Sequence, residues 1–325
     1  IAVALIIFWW GWSPRLAVDG DRFRIMFLDV AQGDSTVLEL PGGKVVLIDG
    51  GATYERFDMG RGVVAPYLWN RGIKSIDHVI ATHPQLDHVG GLTWVIKHFS
   101  VKNFWGNGDA RDEMFYRRLK EALDQRGLSE QIVQAGDELR VSDGCRLGIE
   151  NPPALTSQNQ SLNHGRRKEG QGLNNRSVVT RLTCGRHSVL FSADIEQAAL
   201  LRLREQHEQP VSGLKVPHHG AVSSLDREWI ASLHPRYAVV SVGRHNPYGH
   251  PASPVLAAYA ERGISLFRTD RDGGVWIVAD QPKDNFEVQT TRALSLQRTH
   301  IDIWMLGHSE KDNWYRLWRQ WRERM

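Results

Sequence analysis

Short apolar runs cut by glycine, proline and acidic turns open the chain. "RFRIMFLDV" (22–30), "STVLEL" (35–40) and "KVVLIDGG" (44–51) read as three successive strands with turns at 31–34 and 41–43. Apolar positions then recur at helical spacing over 62–71, 89–98 and 111–126, the last ending on a glycine. Strand patterns return at 138–149, 177–183 and 187–192. Beyond them the two periods alternate, with helices at 196–206, 225–232 and 253–261 and strands at 213–216, 236–242, 264–268 and 274–279. A strand-rich opening followed by alternation predicts an α/β fold, a mixed sheet structure with helices on its outer faces.

Three stretches depart from this pattern. Residues 1–10 are wholly apolar, and Trp9, Trp10 and Trp12 cluster before Pro14 and Arg15. The run is about half of the ~20 residues a membrane-spanning helix needs, and tryptophans at its end suit a membrane interface. Residues 1–21 are therefore read as the end of a transmembrane helix plus a linker, with a buried N-terminal strand or helix as the alternative. Residues 152–176 are polar, nearly free of aliphatics and too long for an ordinary connection, so they are a solvated insertion or a functional loop. In the tail, 281–325, "KDNWYRLWRQWRERM" places Trp314, Trp318 and Trp321 on one helical stripe, with Arg316, Arg319, Arg322 and Arg324 mostly off it. That predicts a basic amphipathic helix able to dock on the domain, lie on a membrane surface or stack on single-stranded DNA.

Composition changes little. With 41% apolar and 24% charged residues the chain is a globular domain rather than a disordered or fibrous one. A net charge of +3 implies no strongly anionic partner by itself. Cys145 and Cys184 are too few for a disulfide framework and lack zinc-thiolate spacing. Each reads as a small apolar strand residue, or the two as one disulfide if their strands pair in an oxidising compartment.

Four apolar segments run straight into ligand-capable turns. "DHVIAT" leads to His83, Asp87 and His88, "HSVLFSA" to Asp194, "GLKVP" to His218 and His219, and "YAVVSVG" to His245 and His250. Sites in α/β folds gather beyond strand ends, where loops converge over a rigid sheet. Imidazoles and carboxylates without thiolates suit zinc, manganese or iron. Gly90, Gly91 and Gly220, after these motifs, permit close backbone approach.

"THPQLDHVGG" resembles the first motif of the metallo-β-lactamase superfamily, usually His, any residue, His, any residue, Asp, His. That resemblance implies a four-layer αβ/βα sandwich with metals at one edge. "FLDVAQGDSTVLELPGGKVVLIDGG", "NNRSVVTRL", "LFSAD", "LKVPHHG", "VVSVGRHNPYGHPASPVL" and "RTDRDGGV", collinear over 22–280, are similar to the C-terminal domain of ComEC-type DNA-uptake channel proteins. The family's domain follows a bundle of membrane helices, in keeping with the apolar stub.

Carried over by residue, the resemblance implies His83, Asp87 and His88 as first-motif ligands, Asp194 as an aspartate able to bridge two metals, and the His218–His219 pair as the late ligand, His219 being favoured beside Gly220. His250 falls on a histidine at the site's mouth. Asp29, Asp34 and Asp49 match early positions, as ligand-orienting groups or as turn formers. Gln85 stands at the superfamily's second histidine, and the middle histidine falls near Asn174 or Asn175. Asp87, His88, Asp194 and His219 would make one complete site. The neighbouring site around His83 is depleted, because a neutral amide is a poorer donor than a carboxylate or imidazole.

The implied cofactor is a divalent ion, Zn2+ or Mn2+, in one site and weakly in a second. The implied reaction is hydrolysis, with Asp87 and His250 catalytic, His250 protonating a leaving oxygen or binding phosphate, and Arg244 and Lys215 offsetting phosphate charge. The implied role is degradation of the non-transported DNA strand during natural transformation. The partners are single-stranded DNA, the membrane part of the same polypeptide and other DNA-uptake proteins. The place is the bacterial inner membrane, with the domain on the extracytoplasmic side. The rivals are a hydrolase of another ester, and a catalytically weak or inactive DNA-binding or gating domain.

Overall fold

A computed structural model describes residues 22–109, 114–154, 172–206, 209–280 and 285–292. The apolar N-terminal run, most of the 152–176 loop and the tryptophan-rich segment lie outside these residues. Among the described residues no helix is long and apolar enough to cross a membrane.

The expected opening strands form an antiparallel meander, β1 (Arg22–Phe27), β2 (Thr36–Leu40) and β3 (Lys44–Ile48). A small hairpin follows, β4 (Thr53–Tyr54) with β5 (Phe57–Asp58). Then β6 (Ser75–Ile80), β7 (Ser100–Gly106) and β8 (Glu130–Ile132) add in parallel beside β3. A second sheet starts with β9 (Glu138–Ser142), β10 (Cys145–Asn151), β11 (Val179–Cys184) and β12 (His187–Phe191), all antiparallel. It continues in parallel through β13 (Gly213–Lys215), β14 (Tyr237–Val240) and β15 (Ser265–Arg268). The chain then returns to the first sheet with β16 (Val275–Asp280), antiparallel to β1, and β17 (Asn285–Thr290). The orders are β17-β16-β1-β2-β3-β6-β7-β8 and β15-β14-β13-β12-β11-β10-β9. The folded unit therefore does not stop at residue 280: part of the segment assigned to the tail is the edge strand β17.

Three apolar clusters explain the layering. Phe27, Leu38 and Val46 of the first sheet face Leu147, Leu182 and Phe191 of the second in a central core. Val37, Leu47 and Val79, on the opposite face by the two-residue alternation of strands, pack on Val89, Leu92 and Val95 of the helical segments that follow β6. Leu190, Leu214 and Val240 pack on Leu200, Leu203, Trp229 and Ile230 of the helices Gln197–Glu205 and Arg227–Leu233. The result is the αβ/βα sandwich. Helix ends are fixed locally: Asp226 accepts from the backbone N–H groups of Glu228 (3.0 Å) and Trp229 (2.9 Å), satisfying donors the first turn leaves unpaired.

The sheets place five strand ends on one edge. β3 and β6 run in parallel, as do β12, β13 and β14, so the residues just after each emerge together. That edge is where the site forms.

Cys145 and Cys184 sit opposite each other on β10 and β11, both buried, and form a disulfide across a separation of 39 residues. The bond closes the loop that contains the polar insertion. Closing a loop of this size restricts the unfolded chain by about 4 kcal/mol in the chain-entropy picture. We expect a Cys145→Ala/Cys184→Ala variant to melt roughly 6–12 °C lower; an unaltered melting temperature would contradict the bridge.

Candidate metal centre

Each functional side chain stands just past a strand end. Asp49 follows β3, and Thr82 and His83 follow β6, leading through Gln85 into a short turn of helix, Leu86–Val89, that carries Asp87 and His88. Asp194 follows β12, His218 and His219 follow β13, and Ser241 follows β14. The backbone is strained here. Ala31, Asp49, Ala193, His218 and His219 all have positive φ, at 56°, 59°, 48°, 47° and 52°. Left-handed conformations are costly for residues with a Cβ and persist where the surroundings over-determine them. Gly220 (φ 81°) is different: a Cβ there would lie 2.5 Å from that of Pro251, so only glycine lets the His250 loop close on the histidine pair.

One ligand atom from each of Asp87, His88, Asp194 and His219 lies within 4.8 Å of the others. Asp194 Oδ2 is 3.2 Å from both His88 Nε2 and His219 Nε2, and Asp87 Oδ2 is 3.4 Å from His219 Nε2. Each imidazole is oriented from behind. His88 Nδ1 meets Asp49 Oδ2 at 2.7 Å, and His219 Nδ1 meets the Ser241 carbonyl at 2.8 Å. Asp49 is itself fixed by Thr82, whose N–H (2.9 Å) and hydroxyl (2.7 Å) both donate to it. Partners of this kind orient metal ligands. Asp34, Asp49 and His88 form a second acidic group, but it is the back of the same imidazole rather than a separate cage.

The side-chain chemistry fits a cation. His88 Nε2 and His219 Nε2 are buried and have no hydrogen-bond partner, yet both point at the same carboxylate oxygen. Burial disfavours charging His219, but Asp194 and Asp34 outweigh it and hold the ring up to about 10. His88 is likewise opposed by burial and raised well above its usual value by Asp194, Asp49 and Asp87. Burial opposes ionisation of Asp194, but His219, His88 and Lys215 hold its carboxyl well below the carboxylate range. The same arrangement of two carboxylates and two imidazoles could hold a divalent cation.

The other expected residues divide. Asp34 is buried and pairs with Lys215, and Asp49 supports His88, so both stand directly behind the ligands. Asp29 accepts from the Ala31 N–H at 3.4 Å within its own turn, the turn-forming role. Lys215 does not reach out to substrate: its side chain is 4% exposed and its Nζ is engaged by Asp34, by Asp194 (3.4 Å) and by the Ala193 carbonyl (2.9 Å). His218 lies 3.8 Å from Asp194 Oδ2 on one side and 3.2 Å from Glu196 on the other, next to the ligands rather than among the four. His250 lines the mouth. Burial, with His218 and His219, pushes its imidazole down. Thr82 opens the first motif, yet only the fold shows it fixing Asp49, and Glu196 had no sequence signal until the fold brings it to His218.

The metallo-beta-lactamase superfamily profile matches residues 28–244. The chain belongs to this superfamily. It is 28% identical over 81% of its length to "ComE operon protein 3" of Bacillus subtilis, covering 33% of that protein. It is 24% identical over 84% of its length to "Competence protein ComA" of Neisseria gonorrhoeae, covering 35% of that protein. The chain thus spans about a third of the length of the curated relatives it matches. The solved structure of Igni18, a metallo hydrolase from Ignicoccus hospitalis, shares the fold at a TM-score of 0.50 and 16% identity, over 79% of this chain and 98% of that one.

The two amides expected at the superfamily's histidine positions meet in the fold. Gln85 Nε2 donates to Asn174 Oδ1 at 2.9 Å, so the two amides that stand in for histidines bond to each other. Of the two asparagines, it is Asn174 that meets Gln85. The Asn175 Oδ1 accepts from the backbone N–H groups of Glu196 (3.1 Å) and Ala199 (3.0 Å), capping the helix Gln197–Glu205. His83 remains buried, its Nε2 without a hydrogen-bond partner and its ring pushed down to about 4 by burial and by His88. Its ring centre is 4.1 Å from that of His88.

Two outcomes follow from the electrostatics. Because His88 and His219 are raised, a cation would compete with protons: affinity should fall as pH falls and rise as pH climbs toward the value of about 10 held by His219, with protons released on binding. Calorimetry in buffers of different ionisation enthalpy measures this, and binding without proton release would contradict it. Gln85→Asp places a carboxylate beside His83 and should add a second metal equivalent, counted by the same titration; a variant still saturating at one would show that residue 85 does not face the site.

Proposed function

We propose that the chain is a metal-dependent phosphodiesterase that degrades single-stranded DNA, forming one domain of a membrane DNA-uptake protein. The supporting observation is the convergence of Asp87, His88, Asp194 and His219 at the common edge of two sheets. A divalent cation held there supplies Lewis acidity and activates water at neutral pH. The chain's own groups do the rest. Asp194 is pinned by Lys215 through one oxygen, leaving the other toward the cluster centre. His250, at the mouth and tending to be neutral, is placed to bind a phosphate oxygen or pass a proton to a leaving oxygen. Arg244, exposed in the same loop, offsets phosphate charge.

The competence-protein resemblance supports DNA as substrate and the remaining membrane polypeptide and DNA-uptake proteins as partners. The Cys145–Cys184 disulfide supports an extracytoplasmic position at the inner membrane, because such bonds persist in oxidising compartments. The Gln85–Asn174 amide pair favours a specific second reading, a catalytically weak domain that binds and gates DNA.

Asp87→Ala separates the readings. Asp87 is the most exposed of the four donors, its side chain 29% accessible, so its loss leaves the core intact. We expect the wild type to cleave single-stranded DNA with Mn2+ or Zn2+, and the variant to lose more than about a hundredfold in rate while keeping its circular dichroism spectrum. Full activity in the variant would overturn the metal assignment.

A further inference from the structure

A ladder of rings leads from the surface to the metal centre. Tyr248, 66% exposed, lies 5.7 Å from the His250 ring at an interplanar angle of 21°. His250 is 5.9 Å from His218, and His218 is 6.1 Å from the ligand His219, which is 2% exposed. The top rung is not a loose loop tip. Asn246 donates to the carbonyls of Gly243 (2.9 Å) and His250 (2.8 Å) and accepts from the His250 N–H (2.9 Å), bracing the loop from inside. A large ring held open to water by a braced loop is a feature of a binding surface rather than of packing.

A second exposed tyrosine stands on the small hairpin that follows β3. Tyr54, 48% exposed, is on the β4–β5 hairpin. This hairpin rests on the Asp87–His88 motif: a Cβ on Gly90 would lie 2.5 Å from the Thr53 nitrogen. Burial raises the Tyr54 phenol, and Asp87 and Tyr248 raise it further.

We propose that Tyr248, helped by Tyr54 on the hairpin that rests on the Asp87–His88 motif, stacks on unpaired bases of a nucleic acid strand and makes the centre select single strands. The proposal rests on the phosphodiesterase reading and names what holds that substrate. Every base offers a π-face, so aromatic platforms bind without sequence preference. In a duplex those faces are already stacked and unavailable without paying to unstack them. A strand seated on the upper rungs lays its backbone toward His250, His218 and the cation.

The test compares two strands of equal charge on the manganese-loaded protein, an oligothymidylate and an abasic sugar-phosphate chain of the same length. We expect the wild type to show a KM about tenfold lower for the oligothymidylate, since stacking on one ring is worth roughly that factor. Tyr248→Ala should bring the ratio of the two KM values close to one, Tyr54→Ala should reduce it by a smaller factor, and Tyr248→Phe should retain it. No preference in the wild type, or a preference that survives Tyr248→Ala, would overturn the stacking role. If the wild type cleaves neither strand, the hydrolytic reading fails on its own. Fluorescence anisotropy with the same two strands then decides the stacking role: loss of base-dependent affinity in Tyr248→Ala upholds it, and equal affinities overturn it.

Discussion

Asp194 is 1% exposed, and it can remain ionised there only because His88, His219 and Lys215 surround it. A carboxylate with no partner would be prohibitively costly at that depth. Much of the architecture around the site serves this one charge. The parallel run β12–β13–β14 brings Asp194, Lys215 and His219 to one edge. The β3–β6 pair brings His88 in from the other sheet with Asp49 and Thr82 behind it. The two halves also share a backbone bond, from the Val178 N–H to the Thr82 carbonyl at 2.8 Å, which fixes one sheet's loops against the other's.

Much of this was legible in the sequence because it is periodic or local. The meander of β1–β3 and the alternation after residue 196 follow from apolar spacing. The four clustered candidates, Asp87, His88, Asp194 and His219, sit in short motifs, each in the same strand-to-turn context. What was missed depends on distance. β7 reads "SVKNFWG", where Lys102 and Asn103 break the apolar run, and it is a strand because it lies between β6 and β8. β17 stands beyond the family match and is recruited by pairing with β16. Lys215 looked available to substrate because sequence shows position, not burial. Asn174 and Asn175 differ by one residue in a tight turn, and only the fold shows that one amide faces Gln85 while the other caps a helix. Tyr54 belongs to no motif, and Tyr248, though it lies inside the "VVSVGRHNPYGHPASPVL" stretch, shows its exposure and its stacking on His250 only in the fold.

The amides of Gln85 and Asn174 pair with each other beside the cluster. Two neutral groups that satisfy each other remove the charge that would hold a second ion and leave the first site's geometry untouched. Such a centre relies on protein groups where a two-ion clamp would serve both attacking and leaving oxygens. In the proposed reaction, His250, the exposed Arg244 and the two tyrosines are the parts left to hold the substrate. A single ion with strong strand positioning is a consistent design, and so is a site kept mainly for binding.

Anomalous diffraction from a crystal soaked in Mn2+ tests the central claim most directly. One strong peak is expected, bounded by Asp87, His88, Asp194 and His219, with none between His83, Gln85 and Asn174. A peak beside His83, or no peak among the four donors, would contradict the single-ion centre.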